Sequence, residues 1–403
     1  MAEARAVSQL RVGAVQYFVG NETVHATVTA HDGGQTAFRL CALSDCLWNV
    51  RRLLDTVEGP SSPNEREDSL RSFAHEWGRA LLPPYSALRE FDVLVLIPHY
   101  ILHFVPLHAV WIEEENAYLG AARAVSYNSS ATQFCRSVDR NPARQHDLSR
   151  WIPGAADRNP VGAPPVPKLC GGEAVDVIGG LTPAYRDLAK SIASRFQKSY
   201  GPEIMRFNIK HPYSEGGVRE PTYETLYLIS HGYYDPVLPV NSGLLLDNPL
   251  GGTISRPIRV PGGKVVHARD LPFRELPTEV TPRSDCHAEM MTIGELQIEG
   301  FTDTELVALL GCSTGAGHVL SGDTVESIAY QWLKLGAASV IASLWTLDIR
   351  FITRWMPVFL DQWLGCRQPK AVAWQEALAV ILNQPDPLPY YDWASVQLLG
   401  DWL

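Results

Sequence analysis

The sequence has no Lys/Arg tract, no long uninterrupted apolar run and no regular cysteine framework. Each absence excludes something. A formal net charge of −10 over 403 residues, with no basic tract, speaks against a nucleic-acid surface. A bilayer-crossing helix needs about 20 consecutive apolar residues, and no stretch supplies them, so no membrane span is expected. The N-terminal "MAEARAVSQLRVGAVQYFV" lacks a basic start followed by a clean apolar block and does not read as a signal peptide. The cysteines are Cys41, Cys46, Cys135, Cys170, Cys286, Cys312 and Cys366, an odd and irregular set that makes a poor disulfide framework. A reducing cytoplasm is the expected setting. "GLTPAYRDLAKSIASRF" carries no GxGxxG, and "GCSTGAGHVLSGDT" has no Lys-Ser/Thr of a phosphate-binding loop, so no nucleotide or other cofactor is expected. No G-x-S-x-G surrounds Ser230 or Ser313, so a serine nucleophile is not signalled either.

What is present is apolar and punctuated. Hydrophobic residues make up 46% of the chain, enough for a sizeable core. Residues 9–48 alternate and are broken at "GNET" and "DGGQ", which predicts an antiparallel meander. Residues 66–86 read as helical. "FDVLVLIP" is a buried strand, and "AYLGAARAVSYNSSA" reads as two short strands. From Ser137 to Leu169 the chain turns rich in Pro, Gly and charge, a candidate linker. "AVDVIGG", "EIMRFNIK", "LYLISHG", "ELVALLGCSTG" and "AASVIASLW" follow as strands, alternating with helices at "PAYRDLAKSIASRFQ", "DTVESIAYQWLKLG" (closed by Gly336) and "AVAWQEALAVILNQ". That alternation predicts an α/β fold with a mostly parallel sheet flanked by helices. Residues 247–285 hold six Pro and four Gly and read as a surface insertion.

Two apolar runs end on reactive side chains: "LYLISHG" on His231, "VALLGCSTG" on Cys312. In parallel α/β sheets, ligands bind beyond the carboxyl ends of strands, so adjacent strands would bring the two together. A cysteine becomes a nucleophile through its thiolate, and an imidazole titrates in the range needed to generate it. Backbone N–H groups of Gly232 and Cys312 are candidates for an oxyanion hole. The competing reading is that a strand-end cysteine is a small core residue.

The C-terminal half resembles the CHAT domain, a branch of the caspase-like (clan CD) cysteine peptidases related to separase. "LYLISHG" is similar to the family's His-Gly strand, "LVALLGCSTGAG" to its Cys strand, and "LGAASVIASLWTLD" to the strand that follows. Upstream, "LVLIPHYILHFVPLHAVW" and "AVSYNSSA" are similar to the family's proline strand and Ser-Ala element. The resemblance implies a His231–Cys312 dyad in a caspase-like domain over 166–403. It implies a degenerate caspase-like N-terminal domain plus linker over 1–165. It implies a cysteine endopeptidase that cleaves a partner protein after a basic P1 residue, and an acidic S1 residue falls on Asp348. It also implies a bacterial defence setting with a gasdermin-like substrate, and a sensor or activator on another chain. The family often reads Ser-Ala-Cys, whereas this chain reads Leu310-Gly311-Cys312. A catalytically silent adaptor that binds a partner is the alternative.

Other polar residues have two readings each. Asp348 can cap the helix that opens "IRFITRW", and Asp235, a second carboxylate near the cleft, can be a turn residue before Pro236. His99, His103 and His108 are spaced like metal ligands, but Pro106 and the apolar setting favour structural histidines. Cys286 and His287 have no matching second pair, so no metal site is expected. Glu326 reads as a helix-face residue.

Overall fold

The computed structural model describes residues 10–30, 32–140, 167–170, 191, 206–207, 225–229, 232–235, 241–247, 257–259, 265–267, 289–293, 305–320 and 324–403. Strands built from period-two and continuous apolar sequence assemble into one mixed sheet of eleven. In chain order they are β1 Val12–Val19, β2 Thr23–Ala30, β3 Gln35–Ala42, β4 Val93–Ile97, β5 Ala124–Tyr127, β6 Pro167–Cys170, β7 Arg206–Phe207, β8 Thr225–Ile229, β9 Leu306–Leu310, β10 Ser339–Ser343 and β11 Val396–Gly400. Across the sheet they lie β3-β2-β1-β4-β5-β11-β10-β9-β8-β6-β7.

Sequence pattern tracks position in that order. β4 ("VLVLI") and β9 ("LVALL") are buried at every residue, as central parallel strands covered on both faces must be. β1 alternates buried and open positions, and the outermost β3 is largely open. β1, β2 and β3 are the antiparallel meander that the sequence predicts. β1, β4, β5 and β11 then run parallel, as do β10, β9, β8, β6 and β7. The two sets meet where β11 pairs antiparallel with β10. The carboxyl ends of β8, β9 and β10 therefore share one edge of the sheet, and the start of β11 lies on that same edge.

Helices pack on this sheet. They are α1 Leu43–Glu58, α2 Pro63–Ser72, α3 Ala131–Arg140, α4 Ile328–Leu335, α5 Ile349–Leu360, α6 Lys370–Leu382 and α7 Tyr390–Ala394. α1 lies against β2 and β3, α6 against β5, and α4 against β10 and β11. Trp332, Trp355, Trp363, Trp374 and Trp393 are fully buried among them. α2 begins in a capping box, Ser62 with Glu65, with Pro63 in its first turn. α4 ends at Gly336, whose φ of 120° few other residues would adopt.

Several segments differ from their sequence reading. The helix expected over 66–86 is α2 followed by a π-turn at Phe73–Trp77 and a 3-10 turn at Gly78–Leu81, because Pro83 and Pro84 prevent its continuation. Both short strands expected in "AYLGAARAVSYNSSA" do form, Ala117–Tyr118 paired antiparallel with Trp111–Ile112 and then β5, but a single helical turn, Leu119–Ala122, separates them. Thr324–Ser327 is not helical. Thr324–Glu326 is a strand paired with His318–Leu320, and α4 starts only after Ser327, whose Oγ accepts the Tyr330 N–H. Glu326 thus sits on a short hairpin and not on a helix face. The end of the candidate linker, Pro167–Cys170, is strand β6, while residues 141–166 and "AVDVIGG" lie outside the described residues. β11 went unread in the sequence and is central.

The three histidines take separate structural roles. His99 Nδ1 accepts the Val19 N–H at 3.2 Å, and His103 packs edge-on to Tyr330. His108 is buried, with its N–H donating to the Tyr127 hydroxyl at 2.7 Å and its Nδ1 2.8 Å from the same oxygen. The Nδ1–Oη bond holds the ring in place whichever of the two atoms carries the bridging proton. Burial pushes the His108 imidazole down from 6.5 to about 3. Below pH 6.5 the unfolded chain therefore takes up a proton that the folded chain refuses. Between pH 6.5 and 3 this site favours unfolding by up to about 1.4 kcal/mol per pH unit. In thermal unfolding against pH, His108→Gln should fall less steeply than wild type between pH 6.5 and 4.5, whatever its absolute Tm. Parallel curves would contradict the lowered pKa of His108.

Candidate active site

β8 and β9 are parallel neighbours, with Thr225 beside Leu306 and Ile229 beside Leu310. Beyond β9 the chain turns sharply. Cys312 is half-buried, and Ser313 is held at φ 53°, the left-handed region that a serine enters at a cost of about 1–2 kcal/mol. The surroundings over-determine that turn. The Ser313 N–H donates to Trp345 O at 3.0 Å and the Gly315 N–H to Ser343 O at 2.7 Å. Ser343 Oγ donates to Gly311 O at 2.7 Å, and the Ser343 N–H donates to Thr314 Oγ1 at 3.1 Å. The cysteine loop is thus stapled to β10 and the "SLW" that follows it. Strain held at a point of bonded rigidity is typical of functional loops.

The second candidate segment packs directly on the first. A Cβ built on Gly232 would stand 1.9 Å from Cys312 O and 3.0 Å from Cys312 N, so the two backbones touch. Only glycine allows that approach. Nearby, Tyr234 Oη donates to Gly317 O at 3.1 Å. Burial, with added charge from Glu58 and Asp235, pushes the Tyr234 phenol up to about 12, which keeps it a neutral donor. The backbones of Gly232 and Cys312 are thus in direct contact. His231 itself lies outside the described residues.

The two aspartates are placed differently. Asp235 is buried, its N–H donating to Ser242 Oγ at 2.9 Å and its Oδ2 accepting from Asn241 Nδ2 at 3.2 Å. Asp348 caps α5, accepting the Arg350 N–H at 2.6 Å. Its carboxylate also takes both Nε and Nη2 of Arg350. Sequence reading missed Asp392 in α7, which accepts from the same guanidinium at 3.0 Å. Burial, and the Asp348 charge after it, push Asp392 up to about 6. Its only sequence signal is an acidic residue between aromatics in "YYDWA", and its partner Arg350 lies 42 residues upstream.

Of the 247–285 insertion, Pro257–Arg259 and Val265–His267 form an antiparallel pair, and the remainder beyond Asp247 lies outside the described residues. Cys286 and His287 lie outside them too. Among the described residues no cluster of three or more His, Cys, Asp or Glu is arranged to hold a metal, and no helix is long and apolar enough to cross a membrane.

Against protein families, the CHAT domain matches residues 71–401. The chain belongs to the CHAT domain family. This match crosses both halves of the sheet, so the motifs in β4 and β5 belong to it as much as those in β8 and β9 do. The CHAT chain is also similar in fold to separase of Saccharomyces cerevisiae, solved with securin. In one structure the TM-score is 0.53 at 10% identity over 98% of this chain and 30% of separase. In a second structure of that complex it is 0.50 at 11% identity, covering 96% of this chain and 30% of separase. Gingipain R, an Arg-specific cysteine proteinase, aligns with TM-score 0.43 at 7% identity, over 86% of this chain and 69% of its own. This chain spans less than a third of separase's length. No curated protein matches the sequence. The fold is thus the caspase-like α/β architecture, a mixed and mostly parallel sheet flanked by helices, with an N-terminal half that extends the same sheet.

Proposed function

We propose that this CHAT protein is a cysteine endopeptidase in which His231 and Cys312 form the catalytic dyad. The observation that carries the reading is the contact of the Gly232 backbone with Cys312. The β8–β9 register supports it. Five consecutive pairs keep one offset, from Thr225 with Leu306 to Ile229 with Leu310. In sequence His231 follows the last residue of β8 by two positions, and Cys312 follows the last residue of β9 by two.

In this reading His231 takes the thiol proton and Cys312 Sγ attacks the scissile carbonyl. The oxyanion settles against the N–H groups of Gly232 and Cys312. His231 then protonates the leaving amine, and water releases the acyl group. The turn at Ser313 needs no further residue for the chemistry, since thiolate is a strong nucleophile. The finer parts of the proposal rest on family resemblance: a gasdermin-like protein substrate in a bacterial defence system, a separate sensor or activator, and a cytoplasmic setting. The silent adaptor is disfavoured because both reactive residues and the close-packed glycine are present.

A basic P1 residue belongs to the same proposal, with Asp348 as a contact for it. Turnover of a fluorogenic library varied at P1 tests this. Asp348→Asn retains a capping side chain but removes the charge. It should lower kcat/KM for Arg substrates roughly ten- to hundred-fold more than for Leu substrates, the scale of a hydrogen bond to a charged group. Equal turnover of Arg, Leu and Asp at P1 would remove the basic specificity and leave the dyad standing.

A further inference from the structure

α1 and α2 pack on each other and leave a surface groove between them. It holds two cavities, of about 300 and 350 Å³, which share Arg52, Thr56 and Ser69. One end is floored by apolar side chains. Leu53 and Leu70 are buried there, and the Phe73 and Trp77 rings stand 5.2 Å apart. The other end reaches Gly59, Pro60 and Ser61, where α1 gives way to α2.

Charge on these walls is unevenly matched. The three lining carboxylates are each engaged by a near neighbour. Asp55 accepts from Arg51 at 3.0 Å, Glu65 from the Ser62 N–H at 3.1 Å, and Glu76 from Ser72 Oγ at 3.0 Å. Arg52 is the one cation among the lining residues. Among the described residues its guanidinium has no hydrogen-bond or ion-pair partner. It stands where the two cavities meet, with Ser69 of the facing helix lining both. A guanidinium in that place presents paired N–H donors to an oxyanion.

Both walls also bear on the candidate active site. Glu58, at the end of α1, lies close enough for its charge to raise the Tyr234 phenol, and Tyr234 Oη donates to Gly317 O. Glu67 of α2 accepts the Tyr390 N–H at 2.9 Å, and Arg66 lies over the Tyr391 ring at 4.7 Å. Tyr391 O accepts from Trp345 Nε1 at 2.9 Å, and Trp345 O accepts the Ser313 N–H. A shift of α1 against α2 is therefore felt on two sides of Cys312.

We propose that the α1–α2 groove is an effector site for a small oxyanion carried on an apolar ring, and that filling it alters the Cys312 loop. Arg52 holds the oxyanion, and Leu53, Leu70, Phe73 and Trp77 receive the ring. Charge selects the occupant, because a cation finds every lining carboxylate engaged while an anion finds a free guanidinium. Carboxylates and phosphate monoesters share the required chemistry. A ligand seated between the helices acts by favouring one spacing of the two over another. Neither binding nor its effect on the loop requires cleavage, so the site stands apart from the peptidase reading.

Phenylacetate and phenyl phosphate, titrated by calorimetry into the full chain, test the site and separate its two ligand chemistries. At least one should bind with a Kd on the order of millimolar, the range for a ligand of about ten heavy atoms. Arg52→Gln should weaken that binding at least about tenfold, since a charge-assisted pair is lost. Ser69→Asp, which tethers a carboxylate across the groove from Arg52, should do the same. Arg39→Gln, at an arginine of β3 that lines neither cavity, should change nothing. All three positions are exposed, so the fold is not at stake. Saturating probe should change the rate of Cys312 alkylation by iodoacetamide about fivefold or more in wild type, and not in Arg52→Gln. Binding by neither probe, or equal weakening by Arg52→Gln and Arg39→Gln, would overturn the site. Binding that leaves the Cys312 rate unaltered would overturn its effector role. A chain that cleaves no peptide yet shows both effects would fail the peptidase reading and leave the effector site standing.

Discussion

Cys312→Ala and His231→Ala should each lower peptide cleavage by on the order of 10⁴-fold or more, because the two act as one unit and either loss removes the covalent route. Stability should change little. Cys312 is only half-buried, at the start of a turn held by backbone bonds to Trp345 and Ser343 and not by its own side chain. Truncating it should therefore shift unfolding by no more than about 1–2 kcal/mol. The two properties separate the readings. An adaptor would keep partner binding in both variants and show no cleavage in wild type. Measured kcat/KM beside chemical unfolding of the three proteins decides between them.

Gly232→Ala should be nearly as damaging without touching a reactive atom. The added methyl would meet Cys312 O at 1.9 Å and Cys312 C at 2.9 Å. Those are backbone atoms, not the free end of a flexible side chain. Carbon and oxygen at ordinary contact stand about 3.5 Å apart, so one loop must retreat by more than an ångström. Displacement on that scale costs roughly 100-fold in rate when it separates reacting groups. Overpacking adds about 1–3 kcal/mol of destabilisation. Gly365→Ala is the matched control, since a methyl there meets nothing within 4 Å, and it should leave activity unchanged. If Gly232→Ala retained full activity, the contact between the two segments would not be part of the site.

The sequence discloses the candidate site better than the sheet. His231 and Cys312 announce themselves because buried parallel strands are continuous apolar runs, and a reactive side chain at the end of one breaks the pattern visibly. β4, β9 and β10 are legible for the same reason. β11 is not. "VQLLG" is five residues long, carries a glutamine, and follows the Pro-rich "PDPLPYYDW". Nothing local says that the last strand returns to pair between β5 and β10. Asp392 went unread too, because its partner Arg350 lies 42 residues upstream and no spacing links the two. Asp348 shows a further limit. A capping aspartate and a specificity aspartate have the same sequence signature, and one side chain here accepts both a helix N–H and a guanidinium. The break between Thr324–Glu326 and α4 was legible in principle through the capping Ser327, but the apolar spacing of "DTVESIAYQWL" continues across it.

The most direct test of the central claim is covalent labelling with a peptide bearing a C-terminal thiol-reactive electrophile, followed by mass mapping of the modified cysteine. The account predicts one adduct, on Cys312, formed at a rate that collapses in His231→Ala although the thiol is still present. Labelling spread over exposed cysteines such as Cys135 and Cys366, with a Cys312 rate indifferent to His231, would contradict it.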